Sequence, residues 1–147
     1  MIILQYKVNI DSYSMCDQAR SGEEAISLIE MDLKRNNYKK TSYNVIFMDC
    51  NMPEMDGYEA THKIRTMFYK HNISQPLISA ITGHSEQKYV NRCITSGMNQ
   101  VLSKPVDGAI LKALIEKINF MFWAYLIKLF NLIKIIGNFY LKLEFIF

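Results

Sequence analysis

The chain has no basic run and no alternation of basic with aromatic residues, so its formal net charge of +3 gives direct DNA or RNA binding no support. It has no CxxC pair, and His62, His71 and His84 show no metal-ligand spacing; they read as solvated or capping residues. Cys16, Cys50 and Cys93 are an odd number at wide intervals, which argues against a disulfide framework or a zinc site and reads as reduced cytosolic thiols. The opening MIILQYKVN has too short an apolar stretch for a secretory signal, because Gln5 and Lys7 follow at once, so a cytoplasmic location is expected. Adjacent carboxylates are missing near the amino terminus: Asp11 and Asp17 stand singly, and Glu23-Glu24 falls in a helix cap. Apolar side chains are abundant, at 50% of 147 residues, enough for the core of one domain plus an extension.

The stretch Tyr43 to Gly57, YNVIFMDCNMPEMDG, is the most informative. Val45, Ile46, Phe47 and Met48 are apolar without alternation, as in a strand buried on both faces of a parallel sheet. Asp49 then stands at its carboxyl end, where open α/β sheets place their sites. Upstream, Ser21 to Glu24 has the form of a capping box, and Ala25, Ile26, Leu28, Ile29 and Leu33 follow at helical spacing, predicting a helix from about Gly22 to about Arg35. Asp56 to Glu59 repeats the capping pattern ahead of Ala60, Ile64 and Met67. Pro76 opens a short strand, Leu77 to Thr82; helix signals run from Glu86 to a stop near Gly97. Gln100 to Ser103 reads as a further strand ending at Lys104-Pro105, and Asp107 to Ile118 as a last amphipathic helix. Strands alternating with helices of this length predict right-handed βαβ units and a parallel sheet.

Three strands thus end in Asp49, Thr82 and Lys104, and parallel strands end on one edge. An acid, a hydroxyl and an amine would converge there: the carboxylate can attack a phosphoryl group while the ammonium and hydroxyl hold its oxygens. A single polar residue at a strand end is usually an ordinary surface group. The functional reading rests on the order of the three and on their flanking loops.

Asp49-Cys50-Asn51-Met52-Pro53-Glu54-Met55-Asp56-Gly57, then Ala80-Ile81-Thr82, then Lys104-Pro105, resembles a response-regulator receiver domain over roughly residues 4 to 118, of the type fused to hybrid histidine kinases. The resemblance implies a flavodoxin-like sheet of strand order 2-1-3-4-5. It implies that Asp49 accepts a phosphoryl group from a histidine kinase or phosphotransfer protein, that Thr82 moves in to bond the phosphate, and that Lys104 pairs with it. Asn51 would offer its carbonyl, beside Asp49, to magnesium. Met52-Pro53 and Asp56-Gly57 would shape the loop, with Gly57 relieving backbone strain, and the Lys104-Pro105 peptide would be cis. Such a module is a switch, not an enzyme with its own turnover. Val101 stands where the family usually has an aromatic switch, which argues against an aromatic-rotamer output.

By the same resemblance the domain is amino-terminally truncated: counting back from Ala19 runs off the chain before the first strand and its acidic pair, and MIILQYK resembles the end of the first helix. Two consequences are expected. One carboxylate and one carbonyl should bind magnesium poorly, making phosphorylation slow or absent. The second strand should lack its neighbour. A pseudo-receiver that binds partners without phosphate, or a fragment from a truncated gene, are the alternatives; an aspartyl phosphatase would want an acid where Asn51 stands.

Residues 119–147 hold half of the aromatic residues. As a helix, this hydrophobic tail would gather Lys128, Asn131, Lys134, Asn138 and Lys142 within an arc of about 120°, suiting a membrane interface. Lys128 and Lys134 argue against a span, and the last residues, Leu141 to Phe147, also alternate like a strand. Translated non-coding sequence is the bland alternative.

Overall fold

The computed structural model describes residues 2–3, 17–107, 109–110, 113–114 and 116–117. The chain divides into two compact units, residues 1–107 and 108–147. In chain order the first unit holds β1 (Ile2–Ile3), β2 (Asp17–Gln18), α1 (Gly22–Arg35), β3 (Val45–Asp49), α2 (Gly57–Lys70), β4 (Leu77–Thr82), α3 (Gln87–Thr95) and β5 (Gln100–Ser103). In the second unit, residues 109–110, 113–114 and 116–117 are helical, within the helix predicted for Asp107 to Ile118. The tail reading, over residues 119–147, lies outside the described residues. Among those described, no helix is long and apolar enough to cross a membrane.

The five strands form one sheet in the order β2-β1-β3-β4-β5. Strands β3 and β4 are parallel, with Asp49 opposite Ile81, and β4 and β5 are parallel, with Thr82 opposite Ser103. The central place between β2 and β3 is taken by Ile2–Ile3, which runs antiparallel to both. This corrects two expectations. Part of MIILQYK is strand instead of helix end, and β2 has a neighbour, because Ile2 pairs with Gln18 and Ile3 with Asp17. The physical reason is the demand of the flanking strands: unpaired backbone groups at the middle of a sheet are costly, and a β-branched Ile-Ile pair suits the position. A parallel first strand of the receiver kind is not seen among the described residues.

Strand β3 is buried on both faces as predicted: Val45, Ile46, Phe47 and Met48 are each 1% exposed or less. Ile46 and Met48 join Ile78 and Ala80 of β4, Ile29 and Leu33 of α1, and Ile64 and Phe68 of α2 in one cluster, while alternation turns Val45 and Phe47 to the opposite face. Helix α1 begins as its capping pattern requires: Glu24 N–H donates to Ser21 Oγ at 3.2 Å, and Arg20 N–H donates to Glu24 Oε2 at 2.7 Å. Asp17 has a structural role, accepting the Tyr43 hydroxyl at 2.8 Å. Buried Asp32 accepts from the Asn36 side chain, the Thr41 hydroxyl and the Ser42 N–H, fixing the turn that feeds β3.

A rim where three strands end

Because β3, β4 and β5 are parallel and in register, Asp49, Thr82 and the residue after Ser103 share one edge of the sheet. Lys104 Nζ reaches Asp49 Oδ2 at 2.5 Å, and Lys104 N–H donates to the Thr82 carbonyl at 2.8 Å. Asp49 Oδ1 accepts the Asn51 N–H at 3.0 Å. The acid and the amine therefore meet as predicted. Asp49 is the more sheltered, its side chain 22% exposed against 48% for Lys104. Thr82 lies at the same rim but is buried, and its hydroxyl accepts the His84 N–H at 3.1 Å, engaged with its own loop. The Lys104–Pro105 peptide is cis.

The loop after Asp49 is held from several sides. Cys50 N–H donates to the Ile81 carbonyl at 3.2 Å, extending the β3–β4 ladder by one residue, and Gly57 N–H donates to the Cys50 carbonyl at 3.2 Å. Glu54, with φ 66°, makes the left-handed turn, and Met55 is buried. Asp56 caps α2 by accepting the Glu59 N–H at 2.8 Å. The expected role of Gly57 in relieving strain is corrected: its φ is not positive, and what excludes a side chain is proximity, since a β-carbon there would stand 2.2 Å from the Asp49 carbonyl oxygen.

Several participants were not foreseen. Arg92 on α3 donates to Asp56 Oδ2 at 2.9 Å and lies 3.9 Å over the ring of Tyr58, tying α3 to the start of α2. Cys93 brings its Sγ to 3.6 Å from Cys50 Sγ, with both residues fully buried. These pairs are 36 and 43 residues apart in sequence, and nothing local signals them. Of the histidines, His84 stacks on Tyr89 and His71 on Tyr38, each at 4.4 Å between centroids. Val101 packs against the core from β5.

Parallel strands β3, β4 and β5 with an acid, an amine and a buried hydroxyl on their carboxyl rim are the arrangement expected of a receiver. The response regulator receiver domain family matches residues 1–116, and the chain belongs to that family. Hybrid signal transduction histidine kinase B of Dictyostelium discoideum is 37% identical over 116 residues, covering 73% of this chain and 5% of that protein. Histidine kinase CKI1 of Arabidopsis thaliana is 35% identical over 106 residues, covering 69% of this chain and 9% of the other. The chain thus spans less than a tenth of the length of these curated relatives. Among solved structures, the CKI1 receiver domain complexed with Mg2+ and BeF3- has TM-score 0.61 at 34% identity, with 70% of each chain covered. The receiver domain of Ssk1 of Saccharomyces cerevisiae, crystallised with the histidine phosphotransfer protein Ypd1, has TM-score 0.55 at 30% identity, covering 69% of this chain and 67% of that one.

Magnesium in a solved neighbour raises the question of fit here. Among the described residues no three His, Cys, Asp or Glu side chains cluster to hold a metal ion. Among the described residues, the oxygens seen at the rim are those of the Asp49 carboxylate, which already accept from Lys104 and from the Asn51 N–H. Magnesium demands near-octahedral oxygen coordination, and this set falls short of it.

Proposed function

We propose that this domain is a phosphoacceptor in a histidine-to-aspartate phosphorelay, taking a phosphoryl group on Asp49. The observation that carries the reading is the contact between Lys104 Nζ and Asp49 Oδ2 at the sheet rim. A carboxylate oxygen of Asp49 attacks the phosphorus of a phosphohistidine; the O–P bond forms as the P–N bond breaks, and the imidazole leaves. Lys104, released from the carboxylate, pairs with the phosphoryl oxygens and offsets their charge. The Thr82 hydroxyl accepts the His84 N–H and keeps its own proton to donate to the phosphoryl group; because Thr82 is buried, bringing it to the phosphate moves it together with the β4–α3 loop bonded to it.

The partner chemistry is a phosphohistidine on a kinase or phosphotransfer protein, in keeping with the relatives named as histidine kinases and with the Ypd1 complex of a neighbour. The domain has no turnover of its own beyond slow loss of its phosphate. We place it in the cytoplasm, where free buried thiols such as Cys50 and Cys93 stay reduced. Incubation with acetyl phosphate followed by intact-mass measurement tests the reading. One phosphate adduct, lost in Asp49→Asn, supports it; folded protein with no adduct supports a partner-binding receiver without phosphotransfer.

A further inference from the structure

We propose that Cys50 and Cys93 are an oxidation site: they form a reversible disulfide that fastens α3 to the end of β3, one residue from Asp49. Its effect on phosphate acceptance, though not the disulfide itself, rests on the function proposed above. The two sulfurs stand 3.6 Å apart, and both residues are 0% exposed. A disulfide needs about 2.05 Å between sulfurs, so the pair must close by roughly 1.5 Å.

The two sides differ in how firmly they are held. Cys50 sits in the ladder, its N–H bonded to Ile81 and its carbonyl to Gly57. Helix α3 has nine residues, no side-chain bond at its N-cap, and Cys93 as its one buried residue. Its other ties include the half-exposed Arg92 on Asp56 and Tyr58, Tyr89 stacked on His84, and packing against β5. An element with so little buried surface opens at low free energy, and closing the sulfur gap asks for movement of α3 rather than of the sheet.

In the closed state both sulfurs are shielded from oxidant. Burial, and after it the bond to Cys93, pushes the Cys50 thiol up to about 12, so thiolate is scarce at neutral pH. Opening of α3 exposes the Cys93 sulfur to hydrogen peroxide. The Cys93 thiolate attacks the O–O bond, giving a sulfenic acid and, with one proton, water. As α3 returns, the Cys50 sulfur attacks that sulfur while its proton passes to the departing hydroxyl; the S–S bond forms and a second water leaves. Two electrons pass from the thiols to the peroxide, and a dithiol returns them by exchange.

The disulfide would hold α3, with Arg92 on Asp56 and Tyr58, against the loop that presents Asp49. Movement of the β4–α3 loop, with which Thr82 shifts toward the phosphate, is then resisted. Phosphate acceptance should slow about tenfold, within the ordinary range of coupling between two sites.

The test treats the full chain with hydrogen peroxide, blocks free thiols, and maps the unreduced digest by mass spectrometry. The Cys50 peptide should be joined to the Cys93 peptide, two hydrogens lighter than the separate pair. Dithiothreitol should release the link, Cys93→Ser and Cys50→Ser should each abolish it, and amide exchange across 87–95 should slow in the oxidised protein. Sulfinic acids alone, or links only through Cys16, would overturn the proposal without recourse to either variant. Phosphotransfer from a phosphohistidine donor is then compared with and without reductant. Equal rates overturn the regulatory half. A reduced protein that accepts no phosphate contradicts the phosphoacceptor reading, and the peptide map still decides the disulfide.

Discussion

Gly57 lies so close to the backbone of Asp49 that a β-carbon on it would stand 2.2 Å from the Asp49 carbonyl oxygen and 3.0 Å from Cys50 Cα. The neighbours are backbone atoms of the strand end and cannot swing aside. Gly57→Ala should therefore destabilise the fold by about 2 kcal/mol, as overpacking of a rigid site does. A urea titration would read this as a lower midpoint at unchanged slope. An unchanged midpoint would mean that the loop is looser than its contacts indicate.

Lys104→Ala should leave stability nearly unaltered, because the Asp49–Lys104 pair is partly solvated. Its phosphorylation rate should fall about 100-fold, the usual loss when one group stabilising developing charge is removed. Rate and urea midpoint measured on one preparation separate the two effects. A variant that accepts phosphate as fast as the parent would remove Lys104 from the site.

Asp32→Ala tests the turn that aims β3. Its carboxylate accepts from Asn36, Thr41 and Ser42, so truncation strands donors in a part-buried turn and should cost about 2 kcal/mol. Asp32→Asn should recover part of that loss. Thermal unfolding of the three proteins decides it, and equal midpoints would refute the role.

The alkaline limb of stability has a definite sign. The Cys50 thiol ionises near 9.0 when free and is pushed up to about 12 in the fold by burial first and Cys93 second. Burial, followed by the bond to Asp17, also raises Tyr43 above its ordinary 10.0. With folded values raised, the unfolded chain binds fewer protons than the folded one above pH 9, so stability falls as pH rises from there toward 12. Denaturant titrations of the reduced protein should be flat in these two groups below pH 9, and Cys50→Ala should lessen the fall above it. A rise in stability above pH 9 would contradict the burial of both groups.

Much of this was legible beforehand, and the failures have physical causes. Periodicity and caps located α1, α2, β3, β4 and β5 because each carries its own local signal: the unbroken apolar run of β3, Ser21 with Glu24, Asp56 with Glu59. The meeting of Asp49 with Lys104 followed from parallel strands ending on one edge. Ile2–Ile3 is too short to carry a period, and its strand state follows from its pairing with β2 and β3. Gly57 was assigned to strain, since sequence does not reveal how closely two backbones pass. The Arg92–Asp56 and Cys50–Cys93 pairs depend on where α3 packs, which no local pattern encodes.

The central claim is that Asp49 receives phosphate from histidine. It is tested most directly by incubating the chain with a phosphotransfer protein labelled on its histidine and following the label. The account predicts that the label moves to this chain, maps to the peptide containing Asp49, and fails to move to Asp49→Asn. A label that stays on the donor while the chain is folded, or one that moves equally to Asp49→Asn, would contradict it.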